Sequence, residues 1–312
     1  MDILLLFPGQ GSQQPGMARD LTERFPAARR VFNTVDCALG FALSDLCFAG
    51  DRAELTATVN AQPALLAHGI AAWEVVRERL EPHVRAAAGH SLGEFTAHCA
   101  AGTITLAEAV RLVRRRGELM QACGAERPGT MAAVLGLADD AVECACERAT
   151  EEAGVVVPAN YNAPGQLVIS GDVTGVERAM MLAKEAGAKR AVRLSVSGAF
   201  HSPLMRSAEA GLRAALDEVH WSEPRIPVYA NVSACPSADA AAARALLCEQ
   251  LTAPVRWTDL IRNMAAAYPG ATFVELGPGA VLSGLVKRIV PDAPTAACGT
   301  AADVDALLQR AA

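Results

Sequence analysis

What this sequence of 312 residues lacks narrows its class before any motif is considered. No uninterrupted apolar run approaches the roughly 18 residues that a membrane-crossing helix needs. Positive charge is missing from the start: Met1-Asp2-Ile3-Leu4-Leu5-Leu6-Phe7-Pro8 has an acid where an export signal would carry bases. Its apolar run is also short, so it reads as a first strand. The nine cysteines show no metal spacing, and Cys144-Ala145-Cys146 is too close for an ordinary zinc pair. An odd count without an export signal predicts reduced thiols in the cytoplasm, most of them acting as small buried hydrophobes. A formal net charge of −6 gives nucleic-acid binding no global electrostatic support. Two local basic groups stand out, Lys184, Lys189, Arg190 and Arg193 in one and Lys287-Arg288 in the other. Each is either a docking patch or a solvated face. Finally, the loop after the first strand, Pro8-Gly9-Gln10-Gly11-Ser12-Gln13, resembles a phosphate cradle. It lacks the Gly-x-Gly-x-x-Gly order, and no Walker lysine follows, so a nucleotide site is disfavoured.

What is present points to a globular α/β protein. Hydrophobic residues make up 52% of the chain and charged residues 20%, enough for a sizeable core. The length suits one large domain, or a large one with a smaller insertion. The chain is organised around Gly89-His90-Ser91-Leu92-Gly93, which reads Gly-x-Ser-x-Gly. Small apolar residues at 84–88 predict a buried strand before it, and 94–101 predicts a helix after it. Strand, tight turn and helix with Ser at the apex is a nucleophile elbow, because glycine on both sides lets the backbone bend without Cβ clashes. The pattern alone also fits an ordinary glycine turn before a helix.

Upstream, 20–81 reads as helical, with a long Ala- and Leu-rich helix at 61–80 that leads into the strand before Ser91. A further helix is predicted over 106–123, with Leu106, Ala109, Val110, Val113 and Met120 on one face. Arg111, Arg114, Arg115 and Arg116 cannot all share its other face at ~100° per residue. Arg116 is placed near the end of that helix, before Gly117, and periodicity does not say which way it points. The next stretch alternates strand, helix, strand, strand, helix, strand over 131–194, a ferredoxin-like pattern read as an insertion. Its hairpin turn is assigned to Asn160-Tyr161-Asn162-Ala163-Pro164-Gly165, whose amides serve either the turn or a ligand. Then Ser197-Gly198-Ala199-Phe200-His201-Ser202-Pro203 sets a histidine in a Gly-containing loop ahead of a helix at 204–219, a good place for a base. Strands at 226–231 and 272–276 and helices at 241–251, 257–267 and up to 289 complete the first domain. Gly277-Pro278-Gly279 brings one more loop to the carboxyl edge of the sheet, where open α/β sheets bind ligands.

Seven blocks occur in order and carry a resemblance: residues 7–13, Gly89-His90-Ser91-Leu92-Gly93-Glu94, Arg116-Gly117 with Met120-Gln121, residues 160–166, Gly198-Ala199-Phe200-His201-Ser202, Pro254-Val255-Arg256-Trp257 and Glu275-Leu276-Gly277-Pro278-Gly279. Together they resemble the malonyl-CoA:acyl-carrier-protein transacylase family, including the discrete acyltransferases of polyketide synthases. The resemblance runs from residue 5 to about 290. It implies an α/β-hydrolase-like subdomain with a parallel sheet at 1–127 and 197–312, and an inserted ferredoxin-like subdomain at 128–196.

By the same resemblance Ser91 is the nucleophile and His201 its general base, a dyad without a carboxylate. A main-chain carbonyl orients the base in the family, and the matching position here is Gln250. The backbone N–H groups of Gln10 and Leu92 would form the oxyanion hole. Arg116 would hold the free carboxylate of a malonyl group. Phe200 would restrict the pocket to malonyl over methylmalonyl, with Asn160 and Asn162 nearby. The implied enzyme is a malonyl-CoA:ACP S-malonyltransferase working by a ping-pong route through acyl-Ser91. CoA thioester is its substrate, and the phosphopantetheine thiol of an acidic acyl carrier protein is its acceptor. No metal, bound cofactor, nucleic acid or membrane is implied, and a cytoplasmic monomer is expected. The alternatives are a carrier-directed acyl hydrolase of the same fold and a transferase for a different carboxylated extender. A malonate decarboxylase subunit and a non-catalytic carrier-docking module are more distant ones.

Overall fold

Ile3-Leu4-Leu5-Leu6-Phe7 is apolar at every position because both faces of this strand are covered, and all five side chains are buried. The computed structural model describes residues 1–310. Its nine strands are β1 (Ile3–Phe7), β2 (Val84–Gly89), β3 (Gly129–Leu135), β4 (Val156–Ala163), β5 (Gln166–Asp172), β6 (Arg190–Arg193), β7 (Val228–Tyr229), β8 (Thr272–Leu276) and β9 (Thr295–Cys298). Five of them form a parallel sheet in the order β7-β2-β1-β8-β9. The other four form a separate antiparallel sheet in the order β4-β5-β3-β6.

The two-residue period of β1 divides the core. Ile3, Leu5 and Phe7 face a cluster with Leu66, Ile70 and Phe95 from the helices Thr58–Leu80 and Leu92–Ala100. Leu4 and Leu6 face Trp257, Leu260, Leu285 and Val286 on the other side. The same alternation governs the antiparallel sheet. Ala132, Val134, Leu167 and Ile169 pack on the helices Asp139–Glu152 and Val173–Glu185. Met131 and Val168 point the opposite way and join the main cluster. That second face closes one wall of the site. No helix among the described residues is long and apolar enough to cross a membrane.

Several expectations need correction. The Asn-rich stretch is not a turn: β4 runs to Ala163, and the reversal falls on Pro164-Gly165, with Gly165 at φ 70°. Tyr161 N–H donates to the Val255 carbonyl at 2.9 Å, which gives this stretch a neighbouring chain and keeps it extended. The strand expected at 226–231 shrinks to two residues, because Asn231 leaves the sheet to bond elsewhere. The helix bearing Arg116 continues to Glu126, so Arg116 sits mid-helix rather than near its end. The helix expected at 204–219 is a tight turn at Pro203–Ala208 followed by Glu209–Asp217. After residue 290 the chain adds β9 and the helix Ala301–Arg310. The sequence Thr-Ala-Ala-Cys of β9 carries little strand signal.

Candidate active site

β1 and β2 run side by side, with Phe7 opposite Gly89, and both end at the same edge. There the chain must turn within two residues into the helix Leu92–Ala100. A Cβ on Gly89 would lie 1.9 Å from the Gly93 carbonyl, and one on Gly93 would lie 2.0 Å from the Phe7 carbonyl oxygen. Neither glycine can be replaced without moving backbone. The residue between them takes the strain: Ser91 has φ 51° and ψ −107°. A side chain held in this region costs on the order of 1–3 kcal/mol and persists only where its surroundings enforce it. Asn231 supplies that enforcement, accepting from Ser91 N–H at 2.7 Å and donating to the Gly89 carbonyl at 2.7 Å.

His201 reaches the serine from the loop after β6, itself at φ 56°. Its Nε2 lies 2.7 Å from Ser91 Oγ, and its Nδ1 lies 2.9 Å from the Gln250 main-chain carbonyl. A carbonyl only accepts, so Nδ1 carries the proton and Nε2 of the neutral ring is free to accept from Ser91. Burial, and then the positive charge of Arg116, pull His201 down to about 3, which keeps it neutral.

Arg116 is fully buried, 1% exposed, on the inner face of the helix Leu106–Glu126. Its guanidinium lies over the Phe95 ring at 5.3 Å. Nη1 donates to Gln62 Oε1 at 2.9 Å, and Nη2 donates to Gln250 Oε1 at 2.9 Å and Ser91 Oγ at 3.2 Å. Burial lowers it to about 10, opposed by Glu94, so it stays charged near neutrality. Glu94 is buried behind it. Desolvation raises Glu94 to about 7 against the pull of the Asn231 N–H, the Gln250 amide and Arg116.

A cavity of about 350 Å³ opens in front of Ser91, between the two sheets. Gln10, Leu92, Arg116, Phe200, Asn160 and Asn162 all line it, as do Met131 and Val168 from the antiparallel sheet. A Cβ on Gly9 would meet the His90 carbonyl oxygen at 2.5 Å, so the loop carrying Gln10 lies directly against the elbow. The Gln10 side chain donates to Thr58 Oγ1 at 3.2 Å, and Gln10 lines the cavity. Asn162 Oδ1 lies 2.8 Å from His90 Nε2, and the His90 ring packs on Trp257 at 5.3 Å. The sequence-nominated residues thus meet around one serine.

Gln62, Asn231 and the role of Glu94 escaped sequence reasoning. Gln62 had a weak signal, a polar side chain in a helix otherwise buried almost throughout. Asn231 had none. Glu275, in the last block, accepts from the Leu282 and Ser283 N–H groups at 3.0 and 2.8 Å and caps the next helix rather than entering the site. Of the basic groups, Arg193 pairs with Glu177 at 3.6 Å and Arg288 donates to the Pro164 carbonyl at 3.2 Å. No group of His, Cys, Asp and Glu side chains able to hold a metal occurs among the described residues.

Comparison with known proteins shows the family of the chain. Residues 4–306 match the family model described as acyl transferase domain. The malonyl CoA-acyl carrier protein transacylase of Bacillus subtilis is 48% identical over 288 residues, covering 92% of this chain and 90% of that protein. The protein of the same description from Escherichia coli K12 is 43% identical over 285 residues, covering 91% and 92%. Among solved structures, the acyl-carrier-protein-S-malonyltransferase of Bartonella henselae superposes with a TM-score of 0.96 at 45% identity, covering 100% of this chain and 99% of that one. A malonyl-transacylase solved in complex with its type II polyketide-synthase acyl-carrier protein superposes with a TM-score of 0.95 at 39% identity, covering 99% and 100%.

Proposed function

We propose, for a chain that belongs to the acyl transferase family and within it to the malonyl CoA-acyl carrier protein transacylases, that it moves malonyl from CoA to the phosphopantetheine thiol of an acyl carrier protein through acyl-Ser91. The observation that carries this reading is the convergence on one oxygen. Ser91 Oγ lies within hydrogen-bond reach of a neutral imidazole and of a buried guanidinium.

The first half-reaction begins when Ser91 Oγ attacks the thioester carbonyl and its proton passes to His201 Nε2. The carbonyl oxygen gains charge and takes hydrogen bonds from the Gln10 and Leu92 N–H groups; losing one such donor typically costs about 10²–10³-fold in rate. Collapse breaks the C–S bond, and CoA leaves with the proton from His201. In the second half-reaction the carrier thiol gives its proton to His201 and its sulfur attacks the ester carbon. The C–Oγ bond breaks, and Ser91 recovers the proton. Both halves exchange a thioester and an oxygen ester, so no metal or redox cofactor is called for. Arg116 selects the acyl chain: a carboxylate in a dry pocket is stable only against a charged donor. Its closeness to Ser91 Oγ suits a short chain whose carboxylate lies one methylene from the ester carbonyl. Phe200 narrows the same pocket against an α-methyl.

The antiparallel sheet, with order β4-β5-β3-β6 and two helices on one face, supports reading 128–196 as a ferredoxin-like insertion in an α/β-hydrolase-like body at 1–127 and 197–312. A cytoplasmic monomer that meets an acidic carrier through local basic patches completes the proposal.

Mass spectrometry of the intact protein after incubation with malonyl-CoA and acetyl-CoA tests it. The wild type gains a malonyl group on Ser91, and Ser91→Ala gains none. Arg116→Ala removes a charged hydrogen bond worth about 1.5–3 kcal/mol, so malonyl preference over acetyl falls roughly tenfold to a hundredfold. A stable malonyl adduct on Ser91→Ala, or unchanged selectivity in Arg116→Ala, contradicts the assignment.

A further inference from the structure

Glu94 is fully buried, and no step above uses it. It stands in the first turn of the helix Leu92–Ala100, where an acid commonly serves the helix's own N–H groups. Here it does something else. Its Oε2 accepts from the Gln250 side-chain amide at 2.6 Å and from the Asn231 N–H at 3.0 Å. Its Oε1 is buried without a hydrogen-bond partner among the described residues.

The two residues it holds are the supports of the site. The Asn231 side chain clasps the elbow through Ser91 N–H and the Gly89 carbonyl. Gln250 supports the other half: its main-chain carbonyl takes His201 Nδ1, and its side-chain Oε1 takes Arg116 Nη2. Gln250 Nε2 also donates to the Ser91 carbonyl at 3.1 Å. Arg116 only donates and Glu94 Oε2 accepts, so the Gln250 amide has one orientation that satisfies both.

We propose that Glu94 is a positioning residue that, through a single oxygen accepting from both Asn231 and Gln250, locks the serine elbow, the histidine and the arginine clamp into one register. Its work depends on reach and on accepting hydrogen bonds. The negative charge is secondary. The proposal deepens the acyl-transfer reading and rests on it for the meaning of the clamp.

Two substitutions separate reach from charge. Glu94→Gln keeps length and an acceptor, because the Asn231 N–H draws the amide oxygen to the place of Oε2. Glu94→Asp keeps charge and falls one methylene short. Malonyl loading of Ser91 should stay within about threefold of wild type in Glu94→Gln and drop about 10²-fold in Glu94→Asp, the loss that a misplacement of about 1 Å brings. The malonyl-to-acetyl ratio should fall at least about tenfold in Glu94→Asp only. A Glu94→Gln enzyme as impaired as Glu94→Asp, or a Glu94→Asp enzyme that loads normally, overturns the proposal. If Glu94→Asp does not fold, Glu94→Gln decides alone. Should the wild type take no malonyl at all, the functional reading fails by itself. The positioning claim is then read from the rate at which a fluorophosphonate labels Ser91, fast in wild type and Glu94→Gln and slow in Glu94→Asp.

Discussion

His201 owes its neutrality to its surroundings: burial first, and Arg116 second, bring it to about 3 from an ordinary 6.5. The free enzyme therefore keeps its base as pH falls through 6.5. The contribution of Arg116 is electrostatic, so a carboxylate seated on the guanidinium weakens it and moves His201 back towards 6.5. An anionic acyl chain would thus strengthen the base that transfers it. In a nitrogen-15 NMR titration of the Ser91→Ala protein, the His201 ring should titrate higher with malonyl-CoA bound than without, and acetyl-CoA should leave it unmoved. Equal titration in all three samples refutes this coupling. Ser91 and His201 were marked locally by glycine spacing and a loop position, while their roles as nucleophile and base came from the family pattern. Asn231 was not, since an amide after a strand carries no local mark of what it will touch, and Gln62 stood out only faintly as a polar side chain in an apolar stretch of helix. Arg116 lay between. Four arginines between 111 and 116 hid which one turns inward, and only the family pattern singled it out.

At the level of elements, the site depends on how closely the helices Thr58–Leu80 and Leu106–Glu126 approach. Gly117 governs that distance, for a Cβ there would lie 2.9 Å from the Thr58 carbonyl oxygen and 2.9 Å from Val59 Cα. Backbone atoms cannot swing aside, so Gly117→Ala must separate the helices by a few tenths of an ångström. Overpacking of this kind costs about 1–3 kcal/mol. It also pulls Arg116 away from Gln62, its partner on the other helix. A lower melting temperature together with a raised KM for malonyl-CoA is expected, and unchanged values of both would exclude this role for Gly117. Periodicity revealed these helices well, while their ends were less legible. The Asn160–Asn162 stretch misled because Asn beside Pro-Gly is turn chemistry. Pairing with the chain at Val255 overrode that local preference.

Over the whole molecule, buried titratable groups set the response to acid. Burial lowers His68 and His98 to about 4 and His201 to about 3, all from 6.5, and His90 is lowered as well. Below pH 6.5 the unfolded chain binds protons that these folded sites refuse, so stability is lost as pH falls towards 4. Glu94 acts with the opposite sign. Raised from 4.5 to about 7, it holds a proton in the folded state that the unfolded chain releases, so its contribution grows between 7 and 4.5 on acidification. Burial also raises Glu275 and Asp139, which act in the same sense as Glu94. His68, His98 and His201 together carry the larger shift, and the net loss by about pH 5 should be on the order of a few kcal/mol. Thermal melts across this range check the sign, and a melting temperature that rises towards pH 5 would contradict it. What the sequence determined alone was the order of strands and helices up to about residue 290, without β9 and the helix Ala301–Arg310, together with a glycine-flanked Ser91 ahead of a helix and the loop that carries His201. Each is written in a few neighbouring residues, through a period of two, a period of 3.6 or a glycine that permits a turn. The tertiary structure alone decided that Arg116 faces inward to Gln62, 54 residues away, and that Glu94 meets Gln250, 156 residues away. Contacts at such separations follow from how the two sheets and their helices pack, and no local pattern encodes them.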